Sequence, residues 1–134
     1  MLTYRRIKKN QKNYAVQLAR DEVNIELKRL DQYKTYLIYN NRERIGFVSF
    51  GFRSDKTIYV YIMALEKHAQ RQGHGALVIE SIMRYGIKKE SHFRGLSITI
   101  NKINEPAISA AKKYGFIVTK ERANYLDLTK PVSK

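Results

Sequence analysis

Apolar positions along the chain follow two rhythms, one of period two and one near 3.6. In MLTYRRI, Leu2 and Tyr4 alternate with polar neighbours, a weak strand signal. From Tyr14 to Leu30 the apolar residues Ala15, Leu18, Ala19, Val23, Leu27 and Leu30 recur at intervals of three and four, which predicts one or two short helices. KTYLIYN and RIGFVSFGF are rich in β-branched and aromatic residues, and NNRE between them predicts a hairpin. DKTIYVYIMALE reads as a long strand entered through an RSDK turn.

At Gly75 the rhythm changes. Ala76, Ile79, Ile82, Met83 and Ile87 follow helical spacing, while Glu80, Arg84 and Lys88 form a solvent stripe at i, i+4 and i+8. This helix should end near KKESHF. In GLSITIN, Leu96, Ile98 and Ile100 alternate with Ser97 and Thr99, a strand with one face inward. NEPAISAAKKYGF predicts a short helix: Asn104 caps it, Pro106 sits in its first turn, and Gly115 ends it. FIVT and NYLDL supply two last strands around KERA. The order β, α, β, β, β, α, β, α, β, β describes an α/β chain with a mixed sheet, read as a single domain over residues 1–134.

Composition narrows the class. At 43% hydrophobic and 11% aromatic, the 134 residues suffice for a core. No apolar run approaches a membrane span, and the N-terminal stretch lacks the apolar region of a secretory signal. With no cysteine, there is neither disulfide nor thiolate chemistry. A cytoplasmic protein is expected, with no membrane partner. The net charge of +14 is spread evenly, 13 Lys/Arg against 6 Asp/Glu in both 1–56 and 57–134. An anionic partner would suit that field: nucleic acid, ribosome, acidic protein or polyphosphate. A/T-rich codons for Lys, Ile, Asn and Tyr would give the same composition without one.

The densest chemical signal is QRQGHGALVIE, residues 70–80. It fails the G-x-G-x-x-G dinucleotide pattern because Val78 stands where the third glycine belongs, and it lacks the G-K-[ST] of a P-loop. What it does offer is a strand ending at Leu65, a loop of backbone N–H groups and a helix N-terminus, a combination that can hold an anion. Gly73 and Gly75 would let a pyrophosphate approach, although the same glycines also suit a tight strand–helix connection. No metal is expected, since His68, His74 and His92 lie on separate segments.

TIYVYIMALE, QRQGHGA, a helix and then ITINKINEPAISAAKKYGF together resemble the GNAT superfamily of acetyl-CoA-dependent N-acetyltransferases. Gln70, Gly73 and Gly75 match its Q/R-x-x-G-x-G/A signature. Asn104, Ala107, Gly115 and Phe116 match its N-x-x-A-x-x-x-Y-x-x-x-G-F signature. The strong resemblance covers about residues 57–128. It implies the GNAT fold: a mixed, mostly antiparallel sheet of six or seven strands, flanked by about four helices and splayed between the fourth and fifth strands.

The resemblance also implies acetyl-CoA as co-substrate, without metal. Gln72, Gly73, His74, Gly75 and Ala76 would cradle its pyrophosphate, with Gln70 and Arg71 nearby. Met63, Ala64 and Leu65 would lie along the pantetheine arm, and Asn104 would hydrogen-bond it. The implied reaction is direct attack of a primary amine on the thioester. Where relatives carry a tyrosine as general acid, this chain has Ala111. Tyr114, one turn on, is the first substitute and Tyr125 the second. The base is unassigned: Tyr59 occupies the position of a family glutamate, and Glu66 lies nearer the loop. The acceptor would be a small-molecule or peptide amine, an anionic one suiting the positive field. A homodimer is an assembly frequent in such families. The competing expectation is a catalytically weak or inactive GNAT-fold module that binds acyl-CoA, nucleic acid or ribosome, for which no RNA-recognition motif speaks.

Overall fold

The computed structural model describes residues 1–132. Seven strands, β1 (Leu2–Arg6), β2 (Lys34–Asn40), β3 (Glu43–Phe52), β4 (Thr57–Leu65), β5 (Gly95–Asn101), β6 (Ile117–Glu121) and β7 (Tyr125–Pro131), form one sheet in the order β1-β2-β3-β4-β5-β7-β6. Three α-helices accompany them: α1 (Lys12–Val23), α2 (His74–Lys89) and α3 (Glu105–Lys113). Single 3-10 turns occupy Lys9–Gln11, Leu30–Gln32 and Lys67–Ala69. The pairs β1–β2, β2–β3, β5–β7 and β6–β7 are antiparallel, whereas β4–β5 is parallel. The β4–β5 ladder joins Thr57, Ile58 and Tyr59 to Gly95, Leu96 and Ser97, after which β4 runs on to Leu65. That short pairing fits the expected splay.

The apolar rhythm from Tyr14 to Leu30 becomes one helix rather than two. Asn24 enters the left-handed region at φ 54° and the Ile25 N–H closes on the Ala19 carbonyl, so α1 stops at Val23. Leu27 still packs against the core from irregular chain, and Leu30 from the start of a 3-10 turn. Their spacing reflects a shared destination, not a shared helix. The final strands also shift, since β6 extends through Lys120 and Glu121, which the sequence places in a turn.

Contacts divide the chain into two compact units. The first comprises Met1–Gly51 and Tyr61–Val78. In it, α1 turns Ala15, Leu18 and Ala19 onto Leu37, Phe47, Ile62 and Ala64. Asn41 and Arg42, both at positive φ, form the two-residue turn between β2 and β3. The buried Thr35 and Ser49 hydroxyls satisfy each other at 2.9 Å. Beside the end of β4, a methyl on Gly46 would stand 2.2 Å from the Ala64 carbonyl oxygen, so the close approach there requires glycine.

The second unit comprises Phe52–Val60 and the chain from Ile79 onward. Ile58, Leu96 and Leu128 are fully buried in it. After α3 the Phe116 N–H reaches back to the Ala111 carbonyl at 3.0 Å, with Gly115 at φ 96° between them, as the sequence predicts. All five residues of β6 are exposed, as befits an edge strand.

The turn into β4 carries a pH-sensitive contact. Asp55 Oδ1 accepts from the Thr57 hydroxyl at 2.5 Å and from the Thr57 backbone N–H at 3.1 Å. The hydroxyl bond above all holds this carboxyl below its ordinary pKa. A depressed folded-state pKa contributes stability above the unfolded value and loses it as pH falls through the folded value. Asp55→Ala should therefore lower the melting temperature at pH 7, and the gap to the parent should narrow below about pH 4. Melting curves at pH 7 and pH 3 check this, and a gap of equal size at both would exclude the contact.

Candidate functional site

The stretch from Leu65 to Leu77 converts a strand into a helix. The Glu66 N–H donates to the Ile45 carbonyl at 2.7 Å, which extends the sheet contact one residue past β4. The Ala69 N–H closes a tight turn on the Glu66 carbonyl at 2.8 Å, with the Ala69 methyl buried. Two side-chain amides then brace the loop. Gln70 Nε2 donates to the Leu65 carbonyl at 2.9 Å and to Glu22 Oε1 on α1 at 2.7 Å. Gln72 Nε2 donates to the His68 carbonyl at 2.6 Å. Arg71 at φ 61° and Gly73 at φ 84° supply the reversals that point the chain into α2.

α2 begins at His74, and its first intrahelical bond runs from the Leu77 N–H to the Gly73 carbonyl at 3.3 Å. The N–H groups of His74, Gly75 and Ala76 therefore lack acceptors within the helix and sit at its positive end. Gly73 and Ala76 are exposed, and a Cβ built on Gly73 meets nothing within 4 Å. His74 Nδ1 is buried without a hydrogen-bond partner. Open space at Gly73, just ahead of the helix-start N–H groups, with exposed Ala76 and an orphaned imidazole nitrogen nearby and Gly75 itself buried, fits an anionic group such as a pyrophosphate. Exposed Lys67 and Arg71 add positive charge.

Met63, Ala64, Leu65 and Gln70–Ala76 all lie in the first unit. Two of them have tasks the sequence did not reveal. Gln70 spends its side chain on the loop itself, and the Leu65 carbonyl is that side chain's acceptor. Glu66, one of the open choices for a base, accepts a 2.6 Å hydrogen bond from the Tyr14 hydroxyl. The Arg44 guanidinium lies over the Tyr14 ring, 3.7 Å from its centre. Burial first, and the Glu66 carboxylate second, push the Tyr14 phenol well above its ordinary pKa, so it stays a neutral donor.

The remaining predicted residues belong to the second unit. Asn104 caps α3, its Oδ1 accepting from the Ala107 N–H at 3.3 Å, and its exposed side chain keeps an amide N–H2 to donate. Ala111 is 4% exposed and faces the core. Tyr114 is half-buried at the C-cap of α3, where its carbonyl accepts from Lys130 Nζ at 2.8 Å. Tyr59 lies beneath the Arg53 guanidinium, 3.9 Å from ring centre to Cζ, and pairs in register with Ser97. Ser97 Oγ is buried without a partner. Tyr125 is exposed at the start of β7. Among the described residues no three His, Cys, Asp or Glu side chains gather as a metal site, and no helix is long and apolar enough to cross a membrane.

The same fold occurs across solved N-acetyltransferases. The ribosomal-protein-S18-alanine N-acetyltransferase of Escherichia coli superposes with a TM-score of 0.78 at 15% identity, covering 100% of this chain and 96% of that one. PaiA N-acetyltransferase of Thermoplasma acidophilum, solved with coenzyme A, gives 0.79 at 12% identity, covering 98% and 99%. A GNAT family acetyltransferase of Elizabethkingia anophelis with acetyl-CoA bound gives 0.77 at 17%, covering 98% of each chain. At these identities the likeness establishes the fold. By sequence, no curated protein matches. The sequence pattern of the acetyltransferase (GNAT) family, however, matches residues 3–116, and the chain belongs to that family. It is an acyl-CoA-dependent acyltransferase by class.

Glu22 and Tyr14 are the participants that pattern reading passed over. Their signal lay in α1: Glu22 follows Ala15, Leu18 and Ala19 on the inward stripe, where a carboxylate needs a reason. The Asn104 cap is directly testable. Asn104→Ala should lower stability by about 1 kcal/mol, measured by urea denaturation of the free protein, whereas Asn104→Ser should recover most of it.

Proposed function

We propose that residues 1–134 form one domain that transfers an acetyl group from acetyl-CoA to a primary amine. The observation that carries this reading is the braced loop ahead of α2, with open space at Gly73 where the helix-start N–H groups begin. The backbone of Gln72–Ala76 would hold the pyrophosphate, with Gln70 and Arg71 supporting that loop. Met63, Ala64 and Leu65 would lie beside the pantetheine arm, and the free amide donor of Asn104 would bind it. Acetyl-CoA supplies an activated acetyl thioester.

A lysine-like amine has a pKa near 10.4, so at neutral pH only about one molecule in a thousand is nucleophilic, a handicap of roughly 4 kcal/mol. The two carboxylates at the loop are already engaged, Glu66 accepting from Tyr14 and Glu22 from Gln70. Water is therefore the proton acceptor we favour. Tyr114 is our choice of acid, because the buried methyl of Ala111 has no proton to give and Tyr114 is the tyrosine one turn on. A peptide amine is one acceptor class, supported by the Escherichia coli neighbour, which acts on a ribosomal-protein alanine. The net charge of +14 favours an acceptor with anionic groups. We place the protein in the cytoplasm and allow for a homodimer.

The buried Ala111 also supports a second reading, in which the fold binds acyl-CoA with little or no turnover and serves as a module for an anionic partner such as nucleic acid or ribosome.

Acetyl-CoA at 100 times its Kd should stabilise the protein by about 2.7 kcal/mol, seen as a thermal shift. No shift with acetyl-CoA or longer acyl-CoAs would sink the reading. Gly73→Val should abolish that shift, because a β-branched residue at φ 84° costs roughly 1–3 kcal/mol and its side chain enters the anion's space, while cooperative unfolding persists. With an amine that is turned over, Tyr114→Phe should lower kcat by about a hundredfold. Undiminished kcat would take Tyr114 out of the mechanism, and a shift without turnover on any amine would favour the binding module.

A further inference from the structure

We propose that Glu22 is a positioning residue for the anion-holding loop, acting through the side chain of Gln70. This rests on reading residues 72–76 as the grip on the acyl-CoA pyrophosphate. Gln70 precedes the two positive-φ residues Arg71 and Gly73, so its orientation sets where the reversals begin. Its amide nitrogen has two hydrogens, and both are used. One goes to the Leu65 carbonyl at 2.9 Å, tying the loop to the end of β4. The other goes to Glu22 Oε1 at 2.7 Å, tying it to α1. A side-chain amide with both donors engaged has none left for a phosphate, so Gln70 serves the ligand indirectly.

Glu22 sits where helix geometry expects an apolar residue. It lies seven residues after Ala15, four after Leu18 and three after Ala19, all buried on the α1 stripe, and it is itself half-buried. No cation is hydrogen-bonded to it among the described contacts. A carboxylate there also acts against an anionic ligand, so packing and general electrostatics both disfavour it. The charge-assisted bond to Gln70 accounts for its presence. Tyr14, two turns earlier on α1, holds Glu66 in the same way at 2.6 Å. One helix thereby fastens the connecting segment at both ends, Glu66 and Gln70, and the residues between them close their own 3-10 turn. The backbone N–H groups beyond Gln70 are then ordered before any ligand arrives, which is where preorganisation raises affinity.

The test uses the full chain with two readouts: acetyl-CoA affinity by calorimetry, and hydrogen exchange of amides 71–77 without ligand. Glu22→Ala should weaken acetyl-CoA roughly tenfold and speed exchange at 71–77. Glu22→Gln keeps an acceptor oxygen and should stay within about threefold of the parent. Gln70→Glu has nearly the same shape but presents only acceptors to Leu65 and Glu22, so it should lose both ties and bind at least as poorly as Glu22→Ala. Parental affinity in Glu22→Ala would overturn the proposal, with or without faster exchange, and so would a Glu22→Gln variant as weak as Glu22→Ala. If the parent itself did not bind acetyl-CoA, the reading of the site would fall. Exchange would then decide the tie alone: acceleration in Glu22→Ala and Gln70→Glu would sustain it, and parental exchange would end it.

Discussion

The chain must pass from the end of β4 to the start of α2 within eight residues and leave the first N–H groups of that helix without a capping side chain. Those two demands conflict. A connection that short normally folds its side chains back over the helix start, as capping residues do. Here the side chains that could cap are used elsewhere. Gln70 and Gln72 turn their amides onto backbone carbonyls at Leu65 and His68, upstream of the helix. The reversals at Arg71 and Gly73 do the rest, and Gly73 opens onto space at the positive end of the helix.

The surrounding architecture supports that connection from one side. Gly46 lets β3 approach the Ala64 carbonyl, and the Glu66 N–H continues the contact to Ile45, so the strand end is held before the loop begins. α1 then contributes both its apolar stripe, which covers Leu37, Phe47 and Ala64, and its polar contacts to Glu66 and Gln70. Core packing and loop ordering thus come from one twelve-residue helix. Single substitutions in α1 carry consequences beyond stability for that reason.

Much of this was legible in the sequence because periodicity reports burial. The strands from Lys34 to Leu65 and the helix after Gly73 emerge from alternation and 3.6-residue spacing, and Asn104, Pro106 and Gly115 punctuate α3 as their backbone chemistry requires. The error over residues 24–30 has the same origin. Leu27 and Leu30 pack against the core, so they keep an apolar rhythm after Asn24 has ended the helix. Pairwise polar contacts were not legible. Tyr14 and Glu66 are 52 residues apart, and Glu22 and Gln70 are 48 apart. A hydrogen bond between distant positions leaves no period, only an unexpected polar residue on an apolar stripe.

The placement of β7 between β5 and β6 bears on how the sheet is made. β5 leaves its antiparallel edge open until a strand beginning at Tyr125 arrives, and the nearer strand in sequence, β6, does not take that place. During synthesis the backbone of Leu96, Ile98 and Ile100 must wait, through α3 and β6, for the strand partners Lys130, Leu128 and Leu126. Pairings closed late and over long sequence separations are slow and leave sticky edges exposed meanwhile. The first unit, which carries the connection into α2, is free of this delay, since its strands emerge in the order in which they pair.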